Sequence, residues 1–221
     1  MTAENNLDGS LPLELSFLSS LSVLDLPGNS LKGDLVPMPA TLTFVDLEMN
    51  RMRGAPFDAL AGLRNLEIVH LSTNGFTGII PSDIGEWSAL KELWFADNRF
   101  QGATIPSEIG KLENLKTLFL YNAQIGGSIP SEIGNMDLEE FLANNNQLSK
   151  EIPPEFYNNK GLTLLRLDSN SLSGTISSLI GNLVDLTDVF LSNNTLSGTL
   201  PVTLLRLTSL GKFVSTTILP I

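Results

Sequence analysis

The sequence predicts an α/β solenoid, a stack of short coils rather than a globule, and three observations predict it. Asparagines recur in steps of 24, from Asn5 to Asn29, Asn50 to Asn74, Asn74 to Asn98, Asn146 to Asn170 and Asn170 to Asn194. Around them one frame returns, as in Leu24-x-Leu26-x-x-Asn29-x-Leu31-x-Gly33 and Leu167-x-x-Asn170-x-Leu172-x-Gly174. Apolar residues, leucine the commonest among them, supply 42% of the 221-residue chain. No single repeat of this size buries its leucines alone, so neighbours must stack into one core with parallel strands along one face. Residues 1–221 read as a single array with partial repeats at both ends, which suggests part of a longer chain.

Each coil is built from a strand, a turn and a helical segment. In the coil that begins at Ile84, Leu93 and Phe95 alternate with Lys91, Glu92 and Trp94, the period of a strand with one face inward. Asn98 follows at the strand's end. A carboxamide carries donor and acceptor together, so Asn29, Asn50, Asn74, Asn98, Asn146, Asn170 and Asn194 are expected to form a ladder that satisfies buried backbone. Gly102 permits a tight turn, and Pro106 keeps the next stretch out of a sheet interior. Ser-x-Ile-Gly segments such as Ser82-Asp83-Ile84-Gly85 suit a short helical or 3-10 turn, with Ser capping its start and Gly its end.

The frame Leu-x-x-Leu-x-Leu-x-x-Asn-x-Leu-x-Gly-x-Ile-Pro resembles the plant-type leucine-rich repeat. Gly78-Ile79-Ile80-Pro81, Gly127-Ser128-Ile129-Pro130, Ser131-Glu132-Ile133-Gly134 and Gly198-Thr199-Leu200-Pro201 carry the resemblance across nearly all of residues 5–210. It implies a right-handed solenoid with a concave parallel β-sheet and short helical or 3-10 turns on the convex side. It also implies ligand or co-receptor binding, as in receptor-like kinase and receptor-like protein ectodomains and polygalacturonase-inhibiting proteins. The cysteine-paired end caps usual in those ectodomains are missing; capless arrays of this kind resemble algal ones as well. The tail, Thr216–Ile221, places Ile218 where a ladder Asn belongs and reads either as a cut repeat or as an unusual cap.

Three irregularities sit together. One extra residue delays Ile105-Pro106 after Gly102, Ala123 stands at a ladder position, and the segment from Gly134 to Phe141 is one residue shorter than its counterpart from Gly110 to Leu118. Either these are tolerated loop changes or they bend the array and re-aim its side chains. Asn122 is a candidate stand-in for the missing carboxamide, and on this reading Ala123→Asn is neutral or stabilises by roughly 1 kcal/mol. A further coil is shortened by Val36-Pro37-Met38-Pro39, which replaces the helical turn.

The strand residue between the two inward positions faces solvent. That column reads Asp25, Asp46, His70, Trp94, Phe119, Leu142, Arg166, Phe190, Val214. The next solvent-side column includes Glu48, Ser72, Tyr121, Asn144 and Asp168, and a third runs Gly28, Met49, Thr73, Asp97, Asn122, Asn145, Ser169, Asn193. Strands lie about 4.8 Å apart, so Trp94 to Phe190 spans roughly 19 Å. His70, Trp94, Phe119, Tyr121, Leu142, Arg166 and Phe190 are therefore the candidate ligand-binding residues, an apolar stripe with an arginine able to stack or to pair with a carboxylate. The expected partner is a protein or peptide, with a glycan as the alternative.

Other classes find less support. A net charge of −11 disfavours nucleic acid and anionic lipid. No cysteine is present, so disulfides and thiolate chemistry are excluded, and no run of apolar residues is long enough to span a membrane. Asp46, His70 and Ser72 can be drawn as a triad, but residues two apart on a strand do not bring a serine hydroxyl to an imidazole nitrogen. The plain reading is a solvent-facing His70 beside Asp46. No catalytic, metal or cofactor site is expected; Asp25, Asp46 and Glu48 read as solvated carboxylates. One sequon, Asn193-Asn194-Thr195, is compatible with an extracellular or cell-surface location, with a cytoplasmic one as the alternative. Two rival roles stand beside ligand recognition. One is a structural or ice-binding array using Thr77, Thr104, Ser128, Thr175 and Thr199. The other is the ectodomain of a receptor kinase whose catalytic domain lies outside this chain.

Overall fold

A computed structural model describes residues 5–216. Nine parallel strands, from Val23–Asp25 to Lys212–Val214, form one sheet in chain order, one from each coil. The register never slips. Asp25 pairs with Asp46, Asp46 with His70, His70 with Trp94, Trp94 with Phe119, Phe119 with Leu142, Leu142 with Arg166, Arg166 with Phe190, and Phe190 with Val214. The inward positions are sealed; Val45, Val69, Leu93, Leu118, Phe141 and Val189 are wholly inaccessible to solvent. Phe57, Trp87, Phe95 and Phe100 add an aromatic cluster with centroids 5.5–6.1 Å apart, behind the strands Ile68–His70 and Glu92–Trp94.

The asparagines lock this stack. Asn98 Nδ2 donates to the carbonyls of Leu71, Phe95 and Ala96 at 3.0–3.1 Å, while its Oδ1 accepts from the Phe76 amide at 3.0 Å. Asn50, Asn74, Asn146, Asn170 and Asn194 repeat that set one coil apart. Asn29 caps the Leu7 amide and donates to Leu26 and Pro27. The residue before each ladder position is left-handed, from Gly28 (φ 63°) and Met49 (φ 52°) through Thr73, Asp97, Asn122 and Asn145 to Ser169 and Asn193 (φ 55°). This third column therefore turns the chain off the sheet. A β-branched residue such as Thr73 adopts that conformation only because the surrounding bonds impose it.

Behind the turn runs a second parallel ribbon that the repeat pattern does not announce. Asp8–Gly9, Ser30–Asp34, Arg51–Gly54 and Gly75–Phe76 form one piece; Gly126–Gly127, Gln147–Lys150 and Ser171–Leu172 form another. The gap between them coincides with the irregular coils, where only the bridge from Thr104 to Gly126 survives. The extra residue is absorbed in a turn closed by the Ala103 amide on the Phe100 carbonyl. The sheet register passes straight through, so the irregularity breaks the outer ribbon and does not re-aim the strands.

Among the described residues seven 3-10 segments, including Ser82–Glu86, Ser107–Lys111 and Ser131–Asn135, and one α-turn, Pro56–Leu60, complete the coils. The expected caps are wrong. The residue preceding Ser82, Ser107 and Ser131 is a proline with no side-chain bond, and each serine instead bonds its neighbouring carboxylate. Only where Ser177 replaces that proline does a serine cap, accepting from the Leu179 amide at 3.2 Å. The glycine lies inside the segment, not after it. A β-carbon on Gly110 or Gly134 would collide with the backbone carbonyl of Glu132 or Glu155 in the next coil. Glycine is there for coil-to-coil approach. The coil holding Val36-Pro37-Met38-Pro39 has no helical turn, as its sequence implies.

Two substitutions test how the irregular coils are held. Asn159 occupies the position of Leu112, Leu183 and Leu207, yet it is fully buried. Its Oδ1 accepts from Leu138 at 3.0 Å, and its Nδ2 donates to Ile133 and Phe156. That amide repairs the coil shortened between Gly134 and Phe141, whose own turn bond is lost. We expect Asn159→Leu, which restores the repeat's apolar residue, to destabilise by about 1–3 kcal/mol in urea denaturation, because it orphans a buried N–H. At Ala123 the backbone carbonyl has taken the carboxamide's role, accepting from Phe100 at 3.0 Å, and the side chain is fully buried. Asn122 does not substitute; its side chain bonds Asp97 on the surface at 2.8 Å. The sequence expectation therefore reverses sign. Ala123→Asn buries an amide whose donor is already occupied and should cost about 1–3 kcal/mol. A midpoint equal to or above that of the parent would show that the coil accommodates the ladder residue.

Candidate functional site

The sheet's solvent side brings the candidate residues together as one continuous column. His70 and Trp94 stack with centroids 3.6 Å apart and planes 8° from parallel; Trp94 and Phe119 follow at 4.8 Å and 14°. The lattice of paired strands sets this spacing, since parallel neighbours place like positions one strand apart. Trp94 Nε1 donates to Thr117 Oγ1 at 2.7 Å, which fixes the indole's orientation. Leu142 continues the column, and Arg166 lies over the Phe190 ring at 4.8 Å while its Nε and Nη2 donate to Asp168 at 3.3 Å. Trp94, Phe119, Tyr121, Leu142, Arg166 and Phe190 are all half-buried.

Stacking has a consequence for recognition. The rings use their faces on one another and turn their edges to solvent. A sugar, which packs its C–H groups against an aromatic face, finds none free between His70 and Phe119. A ring edge carries the positive rim of the quadrupole and suits carbonyl oxygens and aliphatic side chains. Charge adds a second bias. Asp25, Asp46, Glu48, Glu92 and Asp97 gather on the first coils of this face, and Arg166 is neutralised by Asp168.

His70 is not the solvent-facing residue expected. It is only 8% exposed, with Asp46 Oδ2 3.6 Å from Nδ1, Glu92 Oε2 2.9 Å from Nε2 and Phe44 edge-on at 6.2 Å. Both ring nitrogens face carboxylates and neither bonds Ser72, so the triad drawn on paper does not assemble. Among the described residues no group of three or more His, Asp or Glu side chains is placed to hold a metal ion. Glu92 and Thr117, which fix His70 and Trp94, are not among the residues the sequence singles out. Strand alternation alone places them on the solvent side, two residues before the aromatic column, and is signal enough. The threonines weighed for an ice-binding array do not align; Thr104 pairs with Gly126 and Thr175 with Ser197, not with Ser128 or Thr199.

Burial would lower the imidazole pKa, but the hydrogen bonds to Asp46 and Glu92 and their charges outweigh it and hold the group above its ordinary value. A folded value above the unfolded one means that the charged ring stabilises the fold. That contribution is complete below the unfolded value of 6.5 and is lost as pH rises through the folded value. We expect the stability difference between the parent and His70→Gln, measured by denaturation from pH 6 to 9, to narrow as pH rises. A difference that stays constant or widens would show that the clamp does not favour the imidazolium.

Known proteins share the repeat and the fold. A family model described as Leucine Rich Repeat matches residues 65–87, 114–136 and 161–183. The receptor-like protein kinase HAIKU2 of Arabidopsis thaliana is 34% identical over 117 residues, covering 49% of this chain and 11% of that protein. The crystal structure of a TDR receptor superposes with a TM-score of 0.85 at 30% identity, covering 98% of this chain and 42% of that one. The plant peptide hormone receptor RGFR1, solved in complex with RGF2, gives 0.83 at 30% identity over 98% of this chain and 38% of that one. This chain thus spans less than half the length of each of those relatives. Repeat, sheet, 3-10 turns and likeness agree: the chain is a leucine-rich-repeat solenoid, similar to those of plant receptor-like proteins and receptor kinases.

Proposed function

We propose that this chain is a non-catalytic recognition scaffold, the sensing part of an extracellular or cell-surface receptor-like protein, and that it binds a peptide or protein along its concave sheet from His70 to Phe190. One observation carries the reading: an unbroken register aligns the buried His70 with the half-buried Trp94, Phe119, Leu142, Arg166 and Phe190 into one seam on the solvent side of the sheet. Seams of apolar and aromatic residues on a solvent face are the usual sign of an interaction site. Structural neighbours support it, since the RGFR1 structure holds a peptide hormone and HAESA was solved with the peptide hormone IDA and the co-receptor SERK1. Edge-on rings favour an extended peptide over a glycan. The acidic first coils favour a partner with positive charge near that end.

The test begins by panning random dodecapeptides displayed on phage against the folded chain. Calorimetry on the selected peptides should show Trp94→Ala and Phe119→Ala each losing more than about 1 kcal/mol of affinity, with melting behaviour near that of the parent. Because the rings stack, the double variant should lose less than the sum of the two. Peptides indifferent to both changes would remove the concave seam as the binding surface.

A further inference from the structure

The concave face holds a buried polar atom that the protein leaves without a partner. Among the described residues Asn144 Oδ1 is the single buried side-chain oxygen or nitrogen with no hydrogen bond. Asn144 is 5% exposed and belongs to the solvent-side column between Tyr121 and Asp168. It is not a ladder residue. The ladder asparagine of the same coil, Asn146, bonds Leu120, Ala143 and Asn144 carbonyls and the amides of Ala123 and Ile125. Buried polar groups in folded proteins are nearly always satisfied, so an orphan on a binding face asks for a ligand.

The surroundings say which ligand. Asn144 lines a recess of about 400 Å³ with Tyr121, Asn122, Leu142, Asn145 and Arg166. Arg166 is engaged elsewhere, its guanidinium donating to Asp168 at 3.3 Å and lying over the Phe190 ring. The recess therefore offers no free cation to a carboxylate. Burial, reinforced by the Asp97 and Glu48 charges, pushes the Tyr121 phenol up, so it remains a neutral hydroxyl. Leu142 and the Tyr121 ring supply apolar walls. A carboxamide presents one acceptor and a donor on the same edge. Its best complement is a second primary carboxamide, whose syn N–H and C=O return both bonds. A trans peptide unit holds its N–H and C=O on opposite sides and cannot close that pair.

We propose that the recess at Asn144 is a subsite for a primary carboxamide, the side chain of an Asn or Gln on the bound peptide. The subsite rests on the concave-face proposal and adds the identity of one ligand group. Its test needs no identified partner. Propionamide, N-methylacetamide and propionate are titrated into the isotope-labelled chain, following the side-chain NH2 resonances of Asn144 and its neighbours.

The expected result is a saturable shift at Asn144 and Tyr121 with propionamide, at least fivefold weaker with N-methylacetamide and absent with propionate. Asn144→Ala should abolish the Tyr121 response. That variant should fold, since Ala96 already occupies the same column two coils earlier, fully buried. If its spectrum shows unfolding, Asn144→Ser, the residue type of Ser72 and Ser192 in that column, takes its place. No saturable shift, an equal response to N-methylacetamide, an equal response to propionate, or a Tyr121 response that survives removal of the amide would each overturn the assignment. None of those results touches the peptides selected through Trp94 and Phe119, so failure here is distinguishable from failure of the concave-face proposal.

Discussion

One carboxamide per coil holds this molecule in register. From Asn50 to Asn194 each ladder asparagine donates to carbonyls of its own turn and of the preceding coil, and accepts an amide from the preceding coil. A coil of about 24 residues has too little apolar surface to fold alone. The carboxamide turns each coil into a stackable unit by satisfying the polar backbone that stacking would otherwise bury. The residue before each ladder position is left-handed, Asn122 before Ala123 included, and lifts the chain off the sheet at the same point in every coil. Where the ladder lapses, at Ala123, a backbone carbonyl takes over, and where the coil shortens, Asn159 does.

Registration produces the functional surface. Because like positions align across the nine strands, one side-chain position per coil becomes a column. Aromatic residues in that column are brought close enough to stack, which rigidifies them and occupies their faces. The surface left to a partner is a row of ring edges flanked by carboxylates, interrupted by one recess with an unsatisfied amide. Rigid, partly desolvated aromatics of this kind lose little conformational entropy on binding. The same alignment clamps His70 between carboxylates of the strands on either side.

Much of this is legible in the sequence. The repeat marks the coil boundaries, and strand alternation places all nine members of the main column, from Asp25 to Val214, in their observed register. The failures share a cause. Ser-x-Ile-Gly reads as a self-contained helix with its own caps, whereas Gly110 and Gly134 answer to carbonyls one coil away. His70 reads from its own strand as solvent-facing, whereas Glu92 on the next strand helps to bury it. Ala123 reads equally as a tolerated change or a bend, and nothing local marks Asn159, until the neighbouring coils show which amides they serve. In a solenoid the partner of a residue lies about 24 positions along the chain, and local rules do not see it. The tail from 217 onward, where Ile218 stands at a ladder position, lies outside the described residues.

The most direct test of the ladder's role is native-state hydrogen exchange on Asn98→Leu, which keeps the branched shape and removes the carboxamide. The Phe76 amide, capped by Asn98 Oδ1, and the amides of the flanking coils should lose protection by orders of magnitude, while the terminal coils change little. Protection of Phe76 equal to that in the parent would mean that apolar packing alone sets the register, and would contradict the role assigned to the carboxamide ladder.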